Sequence, residues 1–127
     1  METIIIEETI DAPAIVLDAE RGLMNISGAS YPNNALLVYN PIYKWVEQCA
    51  TQKLDSLKCE FYYSYVNSAS KKAIYELMLQ MDRLLENSST KVIVRWFYDK
   101  YDEDMLEIGK EFAEMVKLPF EFIEKLG

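Results

Sequence analysis

The sequence predicts an α/β domain, one mixed central β-sheet flanked by three main helices, in a chain of 127 residues. Three observations carry this reading. Apolar residues alternate from Leu57 to Val66, as they do along a β-strand. Val92-Ile-Val-Arg-Trp-Phe-Tyr98 is nearly unbroken in apolar residues, as a strand covered on both faces would be. Between and after these runs, apolar residues return every three or four positions, the spacing of a helix with one buried stripe.

Taken in order, Thr3 to Ile6 reads as an edge strand. Ala14 to Asp18 and Leu23 to Ser27 read as a hairpin, with Asp18-Ala-Glu-Arg-Gly22 as its turn. Asn25 and Ser27 alternate with Met24 and Ile26, which suits a half-buried strand. Ser30-Tyr-Pro-Asn-Asn34 is a loop, with Asn33 or Asn34 as the N-cap of a first helix. Val38, Ile42, Trp45, Val46 and Cys49 form that helix's stripe. Pro41 falls inside the pattern and marks either a kink or the true first turn. Leu57, Cys59, Phe61, Tyr63 and Tyr65 share one face of the long strand. A second helix begins near Ala69 or Ser70, with Ile74, Leu77, Met78, Met81, Leu84 and Leu85 as its stripe, and Ser88-Ser-Thr90 breaks it. Asp99 to Asp104 leads into a third helix, striped by Met105, Ile108, Phe112 and Met115. Pro119 to Ile123 reads as a last short strand. Strands alternating with helices imply a mainly parallel sheet with right-handed crossovers, made mixed by the leading hairpin. Residues 1–127 make one domain, with no linker, repeat or low-complexity segment.

Composition narrows the function. Half of the residues are hydrophobic, enough for a core without a metal or disulfide staple. No apolar run approaches the ~20 residues that span a bilayer. The first eight residues lack a basic stretch, so they are not a secretory signal. The net charge is −8, and the 13 Lys and Arg are not grouped. Nucleic acid and anionic membrane are therefore disfavoured, and a protein partner is expected. Cys49 and Cys59 read as buried free thiols in a reducing cytoplasm. The chain has no His, so Ser-His and Cys-His nucleophile pairs and ordinary zinc sites are excluded.

The stretch richest in function is Phe61-Tyr-Tyr-Ser-Tyr-Val-Asn-Ser-Ala-Ser-Lys-Lys72, where a strand ends and a helix begins. Asn67 and Ser68 fall where the first free N–H groups of the helix point. That placement suits a helix cap, and it also suits a hydroxyl that carries a phosphate. Spacing leaves both readings open. Ser30-Tyr31-Pro32-Asn33-Asn34, Asn67-Ser68-Ala69-Ser70-Lys71-Lys72, Trp96-Phe97-Tyr98-Asp99 and Pro119-Phe120 follow in that order. Together they resemble the SiaC family of bacterial regulatory phosphoproteins, over about Ala14 to Phe122. The family reads Ser-Tyr-Pro-Glu-Asn, Asn-Thr-Ser-Ser-x-Lys and Trp-Tyr-Tyr-Asp. Here Asn33 stands for the Glu, Ser68 for the Thr, Ala69 for a Ser and Phe97 for a Tyr.

The resemblance implies a fold like the STAS domains of anti-sigma-factor antagonists, with no catalytic residues and no cofactor. It implies phosphorylation at the family's Thr position, Ser68, by a partner protein kinase, and reversal by a PP2C-type phosphatase. It implies that the unmodified form binds and activates a diguanylate cyclase, in c-di-GMP signalling and biofilm regulation. Asn67, Ser70, Lys71 and Lys72 would support the phosphosite, and Tyr31, Pro32, Asn33 and Asn34 would contact the partner. Two other classes stay open beside this one. A small carboxylate enzyme would hold Mg²⁺ on Asp99, Asp102 and Asp104, although acidic residues in a first helical turn also simply complement the dipole. A constitutive binding module would use Ser68 only as a cap.

Overall fold

The computed structural model describes residues 1–126. Its six strands form one sheet in chain order: β1 (Ile4–Ile6), β2 (Ala14–Asp18), β3 (Leu23–Ser30), β4 (Ser56–Val66), β5 (Lys91–Asp99) and β6 (Phe120–Lys125). The first three pair antiparallel, and β3 to β6 pair parallel. The parallel crossovers are α1 (Ala35–Gln52), α2 (Ser68–Asn87) and α3 (Glu103–Met115). The mixed sheet, its neighbouring inner strands β4 and β5, and the three helices match the expectation from sequence. The final strand is longer than expected and completes the parallel set.

All three helices cover the same face of the sheet. Leu57, Cys59, Phe61 and Tyr63 of β4 and Val92, Val94 and Trp96 of β5 are buried beneath them. Tyr63 meets Tyr39 of α1, Cys59 meets Met81 of α2, and Trp96 donates from its indole N–H to the Met105 carbonyl of α3. Trp96 lies at the centre, with Phe61, Tyr63 and Phe112 within 6.0 Å between ring centroids. Burying rings of this size contributes ~2–3 kcal/mol each and fixes where α3 sits. Gly109 lets α3 approach, since a Cβ there would stand 2.5 Å from the Trp96 ring. Cys49 and Cys59 are buried and free. Burial pushes the Cys49 thiol up to about 12 and the Cys59 thiol higher still, so neither is a nucleophile at neutral pH.

Among the described residues, the opposite face of the sheet carries no helix. The expectation that Val92–Tyr98 is covered on both sides is therefore corrected. Ile93, Arg95 and Phe97 are only half-buried, shielded by side chains of neighbouring strands. One rung shows how: Asn25 donates to Glu60 at 3.1 Å, and Arg95 reaches Glu60 at 3.3 Å and Glu121 at 3.9 Å. The aliphatic stems of such a ladder cover apolar surface while their charges stay hydrated.

Three local expectations also change. Strand β3 runs on to Ser30, which is buried rather than in the loop. Helix α1 begins at Ala35 and runs through Pro41, which is neither its first turn nor its end. The carbonyl that Pro41 leaves unpaired belongs to Leu37, 72% exposed, so water can satisfy it. Met115 is exposed at the end of α3, and Gly109 joins Met105 and Phe112 on the buried face.

Candidate functional site

The parallel strands point their C-terminal ends at one edge of the molecule, and helices α2 and α3 start there. At the start of α2, Asn67 is the cap: its backbone is extended and its Oδ1 accepts the Ser70 N–H at 2.8 Å. Its own N–H donates to the Ser30 carbonyl at 3.0 Å. Ser68 is the first helical residue and is exposed. Among the described residues its hydroxyl makes no hydrogen bond, so capping falls to Asn67 and not to Ser68. Ser70 points the other way and is fully buried. Its contribution to the turn is the capped N–H and a hydroxyl bound inside.

The loop after β3 lies against this turn. Tyr31 stands edge-on to Tyr65, with ring centroids 5.9 Å apart, and both rings are exposed. Asn34 is the N-cap of α1 by backbone position, without a side-chain cap bond. Pro32 is buried, so it shapes the loop from within and offers no contact surface. Two grooves flank the start of α2. One, of about 500 Å³, has Tyr65, Ser68 and Lys71 on one side and Asp104, Glu107 and Glu111 on the other. The second, of about 310 Å³, is lined by Asn33, Asn34, Ala69, Lys72 and Glu76. The two lysines are thus divided between the grooves. The structure brings Asn67, Ser68 and Lys71 to one groove and Asn33, Asn34 and Lys72 to the other, with Tyr31 against Tyr65.

Tyr65 is the residue that alternation misplaces. Counting by twos puts it inside with Tyr63. The pairing of β3 with β4 shifts between Gly28 and Ala29, so Gly28 faces Tyr63 while Ala29 faces Tyr65. Ser64 is the extra residue of this bulge, and Tyr65 turns outward, 55% exposed. Gly28 stands on the partner strand at a φ of 112°, a backbone that side chains rarely adopt. A glycine facing the last residues of a long strand is the signal that hints at such a shift.

A chain of hydroxyls runs beneath the site. Ser30 Oγ lies 2.8 Å from Ser70 Oγ and 2.9 Å from the Tyr39 hydroxyl, which lies 2.9 Å from that of Tyr63. All four residues are at most 2% exposed. Burial pushes both phenols up, so they stay neutral and able to donate.

The acidic residues before α3 have separate duties. Asp102 Oδ1 accepts the Met105 N–H at 3.0 Å as the cap of α3. Asp99 accepts a hydrogen bond from the Tyr62 phenol on the open face of the sheet, which raises that phenol. Among the described residues, no group of three His, Cys, Asp or Glu is arranged to hold a metal ion. The Mg²⁺-enzyme reading needs Asp99, Asp102 and Asp104 to converge, and they do not.

From residue 6 to residue 125 the sequence matches the SiaC family, described as regulatory phosphoproteins. The chain belongs to the SiaC family. This places it among regulators and not enzymes. An uncharacterized protein of Pseudomonas aeruginosa (strain UCBPP-PA14) is 28% identical over 120 residues, 94% of each chain. The fold is similar to SiaC of Pseudomonas aeruginosa, with a TM-score of 0.90 at 26% identity over 98% of this chain and 100% of that one. It is also similar to a chain in the crystal structure of the diguanylate cyclase SiaD in complex with its activator SiaC from Pseudomonas aeruginosa. That match has a TM-score of 0.89 at 27% identity, covering 96% of this chain and 99% of the other. Among the described residues no helix is long and apolar enough to cross a membrane.

Proposed function

We propose that this SiaC-family protein is a phosphorylation-switched activator of a diguanylate cyclase, with Ser68 as the switch. A partner kinase places the phosphate, a PP2C-type phosphatase removes it, and the unmodified form docks on the cyclase in the cytoplasm. The observation that carries this is the single exposed hydroxyl at the first position of α2, free of hydrogen bonds and flanked by Lys71 and Lys72. A phosphate there meets the positive end of the helix dipole and adds about −1.5 to −2 charge. The only other serine of the motif, Ser70, is buried, and its hydroxyl is occupied by Ser30. The family description and the SiaD–SiaC complex lend support from outside the chain.

The docking surface is then the turn itself with Tyr31, Asn33, Asn34 and the outward Tyr65. Phosphate at Ser68 would stand at the rim of a groove whose far wall already carries Asp104, Glu107 and Glu111. Its bulk and charge change the surface where a partner must close upon it. Titration calorimetry with the cyclase tests this. Ser68→Asp is expected to bind at least tenfold more weakly with an unchanged circular dichroism spectrum. Equal affinity of Ser68→Asp and Tyr31→Ala with the parent would place the interface elsewhere.

A further inference from the structure

We infer that Ser30 is a positioning residue that fixes the Ser68 turn and the Tyr31–Asn34 loop to one another through the buried hydroxyl chain. Its functional meaning rests on the proposed switch, but its physical content does not. Ser30 is the last residue of β3, and the loop begins at the next residue. It holds the turn twice, accepting the Asn67 N–H on its carbonyl at 3.0 Å and meeting Ser70 Oγ at 2.8 Å. On its other side Tyr39 ties it to α1, and Tyr63 ties Tyr39 to β4. The Tyr31 N–H is held in turn by the Asp11 carbonyl at 2.8 Å. Helix α1, strand β3 and the start of α2 therefore meet at one oxygen, and β4 joins them through Tyr39.

Each hydroxyl owns one proton, and the three links use three of the four. Apolar side chains of the same shape would hold a core as well; what the hydroxyls add is a fixed orientation. A shift of the turn must break the Ser30–Ser70 link, and that frees the strand end from which the loop departs. Contact at the loop and the presentation of Ser68 are coupled for this reason.

Amide hydrogen exchange, followed residue by residue by NMR on the full chain, tests the inference without any partner. Ser70→Ala is expected to speed exchange at the Asn67 N–H and also at the Tyr31 N–H by about fivefold to tenfold, the cost of one buried hydrogen bond in a local opening. Amides from Leu77 to Met81 should be unchanged. Tyr39→Phe, on the far side of Ser30, should speed the same two amides to a smaller extent. The double variant Ser30→Ala with Ser70→Ala should exceed Ser30→Ala alone by less than twofold, since both remove the same link. Acceleration at Asn67 without acceleration at Tyr31 would overturn the coupling. So would fully additive effects, or a uniform rise across Leu77–Met81, which would make the chain only a stability element. Should Ser30→Ala not fold, Ser70→Ala and Tyr39→Phe with the Tyr31 readout decide the matter. A cyclase that ignores Ser68 would refute the switch and leave these exchange rates as they are.

Discussion

Helices α2 and α3 begin on opposite walls of one groove, and they fill their N-termini in opposite ways. Each has a side-chain cap that accepts from the N–H three residues on: Asn67 from Ser70 at 2.8 Å, and Asp102 from Met105 at 3.0 Å. Beyond the cap they diverge. Helix α3 has Glu103 and Asp104 in its first turn, so its positive end is already answered by charge of its own. Helix α2 has no acidic residue in its first turn, which holds an exposed hydroxyl and leads into Lys71 and Lys72. A helix that lacks its own anion is one to which an anion can be added. The comparison supports the proposal that the same local motif, polar residues before an apolar stripe, is structural in one place and a switch in the other.

The sharpest way to break this comparison is through the surface around α2. Tyr65→Ala should cost the cyclase at least tenfold in affinity, about 1.4 kcal/mol, because it removes an exposed ring paired with Tyr31. The melting temperature should hold, since the Tyr65 ring is exposed and outside the buried core. Calorimetry and thermal unfolding on the same sample read both quantities.

Next in size are the caps. Asn67→Ala and Asp102→Ala should each destabilise by ~1 kcal/mol in urea unfolding. Their consequences should separate, because only Asn67→Ala disturbs the Ser68 turn and should also slow phosphorylation. Equal phosphorylation of the two variants would erase the distinction between the helix starts. The smallest effect is a charge placed at the empty terminus. Ser68→Asp should leave the fold intact or stabilise it by ~0.3–1 kcal/mol, and the gain should fade as pH drops through the carboxylate range. The dipole favours the ionised form, so its pKa in the folded state lies below the unfolded one, which fixes that sign.

Much of the fold is legible in the sequence because most elements obey one period throughout. The stripe from Ile74 to Leu84 and the alternation from Leu57 to Tyr63 each hold a single face to a single core. What alternation cannot carry is a change of phase. Tyr65 faces outward because of a register shift set by β3, a strand 35 residues or more before it, and no count along β4 alone reveals it. The bare face of β5 is hidden for a similar reason. Ile93 and Phe97 look like core residues, yet neighbouring strands and not a second layer shelter them. The residues of the site were legible as motifs; their gathering was not. Ser30, Tyr39, Tyr63 and Ser70 are spread over 41 positions of the chain, and only the fold brings their hydroxyls within 2.9 Å of one another in sequence.

The central claim is that Ser68 is the phosphate acceptor. Incubating the protein with Mg²⁺–ATP and a co-encoded kinase, followed by phosphopeptide mapping, tests it most directly. A single phosphate on Ser68, absent from Ser68→Ala and removed by the phosphatase, is the expected result. Full phosphorylation of Ser68→Ala, or a phosphate mapped to another residue, would contradict it.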